Sequence, residues 1–306
     1  MIENFEQLLK QAKNSKPISV SIAAANDSAS IGAVAEAINL GLATAILCGD
    51  AEQINQSLQA NDLSASDSVQ ILNADTPETA ADLAIEQIHK GNAHILLKGQ
   101  IKTAQLLKRV LDKEKGLRSG QLLSDVFLFE VSSSRTMMIT DGGVNLKPDL
   151  GQKIEILKNA VQVGHALGNS CPRVALLSAI EVVNPDIPST LEAAMIAKMN
   201  QRRQIKGCLV DGPLALDNAV SLQAAETKGI DSPVAGRADI LVCPDIESAN
   251  MLAKSTTYFA ELKLAHVIVG AKVPVLIPSR ADSSRSKLYS IALGKLFSEY
   301  LQKEKN

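Results

Sequence analysis

Short apolar runs rich in Val, Ile and Leu alternate with longer stretches of helical spacing along nearly the whole chain, and this alternation constrains the fold most. The runs predict strands at 18–25, 43–49, 69–73, 93–99, 125–131, 135–142, 173–179, 207–212, 238–244, 266–271 and 273–279. Between most of them apolar residues recur at i, i+3 and i+4, for example over 76–90, 150–168, 188–203, 246–263 and 285–303. A strand that is apolar continuously is buried on both faces, and the amphipathic helix after it carries the chain back to begin a parallel neighbour. The pattern predicts βαβ units and an α/β architecture of mainly parallel, doubly wound sheets.

One pair of strands breaks the rule. Only Ser132, Ser133 and Ser134 separate the runs at 125–131 and 135–142. That is too short for a crossover, so they must form an antiparallel hairpin. A hairpin near the middle of such a chain is a natural hand-over between lobes. We therefore expect a first lobe of residues 1–140 with 281–306, a second of residues 141–280, and a cleft between them. Neither repeats nor low-complexity linkers interrupt this organisation.

The 306 residues are 46% hydrophobic and 21% charged, an ordinary globular composition that excludes disorder. Aromatics make up 3% and Trp is absent, which suits sheets covered by small-residue helices. A net charge of −2 offers no overall attraction to nucleic acid or anionic membrane, so any pull on a phosphorylated ligand must be local. Cys48, Cys171, Cys208 and Cys243 are scattered without metal-ligand spacing, and each reads as a buried reduced thiol in a reducing compartment. The opening MIENFEQLLKQAKNSK is a charged amphipathic helix without the apolar core of a signal peptide, and no apolar stretch is long enough to span a bilayer. A cytoplasmic location is expected.

Ligands of parallel α/β sheets gather at the carboxyl ends of strands. Those positions here are Lys98-Gly99, Asp141-Gly142-Gly143, Asp211-Gly212-Pro213, Pro244-Asp245, Gly270-Ala271-Lys272 and Ser279-Arg280-Ala281-Asp282. The last precedes a helix start, where unpaired N–H groups and a bidentate Arg280 suit phosphate; Asp282 and Ser283 read equally as simple helix caps. Lys98, Gly99, Lys102 and Thr103 could likewise cradle an anion, or the lysines could merely be solvated. Asp141, Asp211 and Asp245 are read as turn residues rather than metal ligands, and His89, His94, His165 and His266 as structural. GxGxxG, GxxxxGK[ST] and GxSxG are all missing, which argues against a dinucleotide fold, a P-loop and a serine nucleophile elbow.

Five segments, KGQIKTAQLLKRVLDKEKGLRSG, ITDGGVNLKPDL, DGPLALDNAVS, KGIDSPVAGRADILVCPDIESANML and IPSRADSSRSKLYSIAL, resemble in sequence and order the phosphate acetyl/butyryltransferase family, most closely its butyryltransferase branch. The resemblance runs from about residue 95 to 295. It implies a two-lobed fold of the isocitrate/isopropylmalate dehydrogenase type, a homodimer or higher homo-oligomer, and reversible exchange of an acyl group between coenzyme A and inorganic phosphate. No metal or tightly bound cofactor is implied, and neither nucleic acid nor membrane is a partner. Carried over by position, Ser279 and Arg280 serve the phosphate and the developing oxyanion. The family's acetyltransferases place an Asp several residues later as base for the thiol; Ser286 stands near that place here, and Asp282 is the nearby carboxylate. Lys98, Lys102, Thr103, Arg109 and Asn145 are the implied phosphate- and CoA-binding positions. The same chemistry with acetyl groups is the alternative. A metal-dependent decarboxylating dehydrogenase and a non-catalytic sensor of CoA or acyl phosphate are more remote ones.

Overall fold

A computed structural model describes every residue except Asp62, Ala65, Asp67, Arg280, Ala281 and Asn306, and leaves aside the Lys305 side chain. The chain begins with α1 (Phe5–Ala12), β1 (Ile18–Ala23), α2 (Ser28–Asn39), β2 (Ala43–Gly49), α3 (Ala51–Gln59), β3 (Val69–Asn73), α4 (Pro77–His89), β4 (Ile95–Lys98) and α5 (Thr103–Val110). Its middle carries β5 (Ser124–Ser132), β6 (Arg135–Thr140), α6 (Leu150–Ala166), β7 (Arg173–Leu177), α7 (Pro188–Gln201), β8 (Leu209–Leu214), α8 (Leu216–Val220), α9 (Leu222–Thr227), β9 (Ile240–Val242) and α10 (Ile246–Tyr258). It closes with β10 (Leu264–Val269), β11 (Val275–Leu276) and α11 (Ser284–Lys305). Every apolar run read as a strand overlaps one.

The chain divides into two compact units, one of residues 5–121 with 265–306 and the other of 1–4 with 122–264. These divisions fall earlier than the sequence boundaries at 140 and 280, and two pairings explain why. β6 lies parallel to β9, which keeps the hairpin with the unit of residues 122–264. β11 lies parallel to β4, which draws the residues before 280 into the other unit.

In the unit of residues 5–121 and 265–306 the strand order is β3-β2-β1-β4-β11-β10. Its pairings are parallel except for β10 with β11, which meet antiparallel at Ile268 and Val275 across a connection too short for a crossover. The chain builds outward from β1 through β2 to β3, then returns to lay β4 on the other side of β1. Three of the βα turns are locally encoded. Asp27, Asp50 and Thr76 cap α2, α3 and α4, their side-chain oxygens accepting N–H bonds from the first turn. α11 packs against α1 and α2. Its fully buried Lys295 donates to the carbonyls of Ser15 (3.2 Å), Lys16 (2.7 Å) and Leu42 (3.4 Å), fastening the helix to the segments that lead into β1 and β2. The rings of Phe5 and Tyr289 lie 4.4 Å apart and join α1 to the same helix.

In the unit of residues 1–4 and 122–264 the order is β5-β6-β9-β7-β8, which begins with the antiparallel β5–β6 hairpin and continues with parallel pairing. Phe129, Met137, Ile139, Ala175 and Leu241 form part of its core. After β6 the buried Asp141 carboxylate accepts N–H bonds from Asp125, Gly143, Val144 and Asn145 at 3.0–3.1 Å, which fixes the glycine turn. Burial and the neighbouring Asp125 push its pKa up.

Cys48, Cys208 and Cys243 are buried as expected, but Cys171 is exposed. It lies in the connection from α6 to β7, outside the apolar runs. Burial lifts the thiols of Cys48 and Cys243 to about 12 and that of Cys208 to about 11. A chromogenic disulfide reagent at neutral pH is expected to titrate one thiol in the native protein and four in denaturant. Rapid reaction of a second native thiol would contradict this arrangement.

Candidate functional site

In an open parallel sheet a crevice forms where two neighbouring strands send their connections in opposite directions. β1 and β4 are such a pair. Between their carboxyl ends lies a cavity of about 360 Å³, lined by Asp27, Ala29 and Ser30 at the start of α2 and by Lys98, Gly99 and Gln100 after β4. Pro278 and Ser279, after β11, and Lys287, in the first turns of α11, complete it. The volume is that of an ordinary small-ligand pocket.

Two features of the backbone bring these walls together. Ala24 takes a left-handed conformation (φ 59°), and its carbonyl accepts the Gln100 N–H at 2.7 Å. Gly99 passes so close that a Cβ there would sit 2.1 Å from the Ala24 oxygen, so only glycine fits.

Two lysines at this cavity are almost inaccessible to solvent, Lys98 at 5% and Lys287 at 4% exposure. Lys98 Nζ donates to the carbonyls of Gly99 (3.3 Å) and Ile101 (3.4 Å). Lys287 Nζ stands 3.4 Å from Asp27 Oδ1, which also accepts the Ser30 N–H at 2.8 Å. Asp27 Oδ2 is buried and has no hydrogen-bond partner among the described residues. Two ammonium groups against one carboxylate leave the lining cationic. An anion seated between the lysines would meet both ammonium groups in a charge-assisted hydrogen-bonding site.

Ser279 lines the cavity from a turn held by Asp282, whose Oδ2 accepts the Ser279 N–H at 2.8 Å and lies 3.9 Å from the Nε2 of buried His266. Asp282 backs the turn and is not among the lining residues. Arg280 lies outside the described residues. Lys102 and Thr103 begin α5, both exposed, and do not line the cavity. Arg109 is engaged with α4 through Asp82 (2.9 Å) and the Glu78 carbonyl (3.2 Å). Asn145 belongs to the other unit, where its amide bonds Asp141 and the Leu123 carbonyl. The structure thus gathers Ser279 and Lys98 at one cavity with Asp282 behind it, and gives Arg109 and Asn145 local structural partners.

Asp27, Ser30 and Lys287 were absent from the sequence-derived set. AAANDSAS does read as strand end, cap and helix start. Nothing local reveals that Lys287 turns inward rather than toward solvent; that depends on where α11 packs.

The corresponding reversal in the other unit, between β7 and β9, is closed. Lys153 and Glu192 form an ion pair there beside Ser189 and Cys243, and the remaining space of about 10 Å³ holds at most a water. Asp211 and Asp245 bond nearby backbone N–H groups, as turn and cap residues do. Among the described residues no group of three or more His, Cys, Asp or Glu side chains is placed to hold a metal ion, and no helix is long and apolar enough to cross a membrane.

A family model described as "Phosphate acetyl/butaryl transferase" matches residues 75–294. The probable phosphate butyryltransferase of Bacillus subtilis is 45% identical over 299 residues, covering 96% of this chain and 98% of that protein. The phosphate acetyltransferase of Thermotoga maritima is 45% identical over 294 residues, covering 96% and 99% respectively. A crystal structure of a branched-chain phosphotransacylase from Enterococcus faecalis superimposes with a TM-score of 0.80 at 34% identity, covering 91% of this chain and 99% of that one.

Proposed function

The chain belongs to the phosphate acetyl/butaryl transferase family and is a phosphate acyltransferase, and on that premise we propose that the cavity between Lys98 and Lys287 seats the phosphoryl group. The reaction is reversible exchange of a short acyl group between coenzyme A and inorganic phosphate. The observation that carries the site is the pair of buried ammonium groups at the β1–β4 reversal. They attract phosphate locally in a chain whose net charge is −2.

Transfer is direct. In one direction a phosphate oxygen attacks the thioester carbon, a C–O bond forms and the C–S bond breaks. In the other, the CoA thiolate attacks acyl phosphate and phosphate leaves. Both directions pass through a tetrahedral oxyanion, and the Ser279 hydroxyl, together with Arg280 beyond the described residues, is the group we assign to it. Either preference, for four-carbon or for two-carbon acyl groups, has equal support, from a probable phosphate butyryltransferase and a phosphate acetyltransferase that are each 45% identical to this chain. Pocket shape sets such a preference weakly, at about 1–3 kcal/mol per methylene. We further propose a homo-oligomer, supported by the exposed Val182 and Val183, and a cytoplasmic location, supported by the CoA substrate.

The test is thiol release from butyryl-CoA and acetyl-CoA, with and without phosphate, in the presence of EDTA. Phosphate-dependent release is expected with both and unaffected by the chelator, and the ratio of the two rates decides between butyryl and acetyl specificity. Release that ignored phosphate would remove the assignment of the cavity, and EDTA inhibition would remove the metal-free reading.

A further inference from the structure

We infer that Asp27 carries the proton that moves between phosphate and thiol. The inference rests on the cavity being the phosphate site. Exchange has a fixed proton balance: monohydrogen phosphate loses its hydroxyl proton as its oxygen bonds to the acyl carbon, and the departing thiolate gains one. In reverse, the thiol loses a proton and the leaving phosphate gains it. One group that takes and returns a proton serves both directions.

Among the described residues that line the cavity, Asp27 is the only carboxylate, and no His, Cys or Tyr accompanies it. The other polar linings are ammonium, hydroxyl and amide groups, none of which accepts a proton readily at neutral pH. The two Asp27 oxygens differ. Oδ1 is committed to the Ser30 N–H and to Lys287. Oδ2 is buried without a hydrogen-bond partner among the described residues, although buried polar atoms are normally paired. A hydroxyl or thiol of a bound substrate supplies the missing donor. The described charged groups lining the cavity with Asp27 are Lys98 after β4 and Lys287 on α11, which would stabilise the phosphate once the proton has moved.

The two sequence-derived places for the base fit less well. Asp282 spends its Oδ2 on the Ser279 N–H and lies behind the turn, which makes it a positioning residue. Ser286 has only a hydroxyl, facing Ser283 across 3.1 Å.

Asp27→Asn separates these roles, because Asn caps a helix about as well as Asp and the fold should persist. Its kcat is expected to fall between about a hundredfold and ten-thousandfold, with the acid limb of the kcat/KM pH profile abolished. The KM for phosphate should stay level or drop as a negative charge is removed. Asp282→Asn is expected to keep the acid limb while losing activity. Should Asp27→Asn misfold by circular dichroism, Asp27→Ser, another capping residue, replaces it under the same criteria. A variant within threefold of wild-type kcat, or one that loses activity with its acid limb intact, would overturn the proposal. Wild-type protein that released no thiol on adding phosphate would instead fail the reading of the cavity itself.

Discussion

Lys287→Met is expected to lower phosphate-dependent thiol release by about a hundredfold or more, and Lys98→Met by a similar factor. Methionine nearly preserves side-chain length and removes only the charge. In Lys287→Met the loss is compounded, because Asp27 then faces the incoming phosphate without its cation. The deficit should appear in both kcat and the KM for phosphate, since the ammonium binds the dianion in the ground state and as it is released. Stability should move differently. Replacing a buried charge by a well-packed apolar group is often neutral or stabilising, so Lys98→Met should unfold at or above the wild-type temperature. Inactivity without destabilisation identifies a lysine kept for its ligand. Steady-state kinetics and thermal unfolding on the same preparations decide it. Activity within fivefold of wild type in both variants would move the phosphate site elsewhere while leaving the family assignment intact.

Gly99→Ala is the second large effect. The added Cβ would lie 2.1 Å from the Ala24 oxygen, 2.8 Å from the Ala24 carbonyl carbon and 3.0 Å from the Ala23 oxygen. All three are backbone atoms in the β1–β4 junction, so no side chain can yield. β4 or the Ala24 turn must shift, which displaces Lys98 and breaks the Gln100 N–H bond to Ala24. Overpacking of this kind costs about 1–3 kcal/mol, occasionally more. A fall of several degrees in unfolding temperature is expected, with loss of most activity because the cavity wall is displaced. Gly91, with open space where its Cβ would be, provides a comparison at a positive φ of 75°, where only local backbone preference is disturbed. Equal effects at the two positions would mean the contact at Gly99 is relieved easily.

The strands were legible because burial on both faces leaves little freedom in residue choice: ATAILCG and HVIVGA admit hardly any other reading. The hairpin was legible from its three serines. The unit boundaries were not, because they depend on which strands become neighbours. No local pattern announces that β11 will dock beside β4, or that β6 will pair with β9. The site shows the same division. Lys98 and Ser279, which line the cavity, were legible because each follows an apolar run in its own sequence. Lys287 and Asp27 become partners only when α11 and the β1–α2 turn meet, although they are 260 residues apart. Cys171 failed as a buried thiol for a related reason. Residue type favours burial, but its position in a connection decides exposure.

The walls of the proposed phosphate cavity come from three stretches that begin at Asp27, Lys98 and Pro278. A ribosome therefore delivers the β11 wall about 180 residues after the β4 wall. At about 5–20 residues per second the interval lasts on the order of ten to forty seconds. Throughout it the outer edge of β4 presents an unpaired row of N–H and C=O groups, a template for unwanted strand addition. Residues 122–264, contiguous in sequence, emerge meanwhile with all five strands of their own sheet order. The nascent chain thus carries one strand-complete unit and one open-edged unit until β11 arrives; docking of β11 seals that edge, and α11, following it, brings Lys287 to complete the cavity proposed for phosphate.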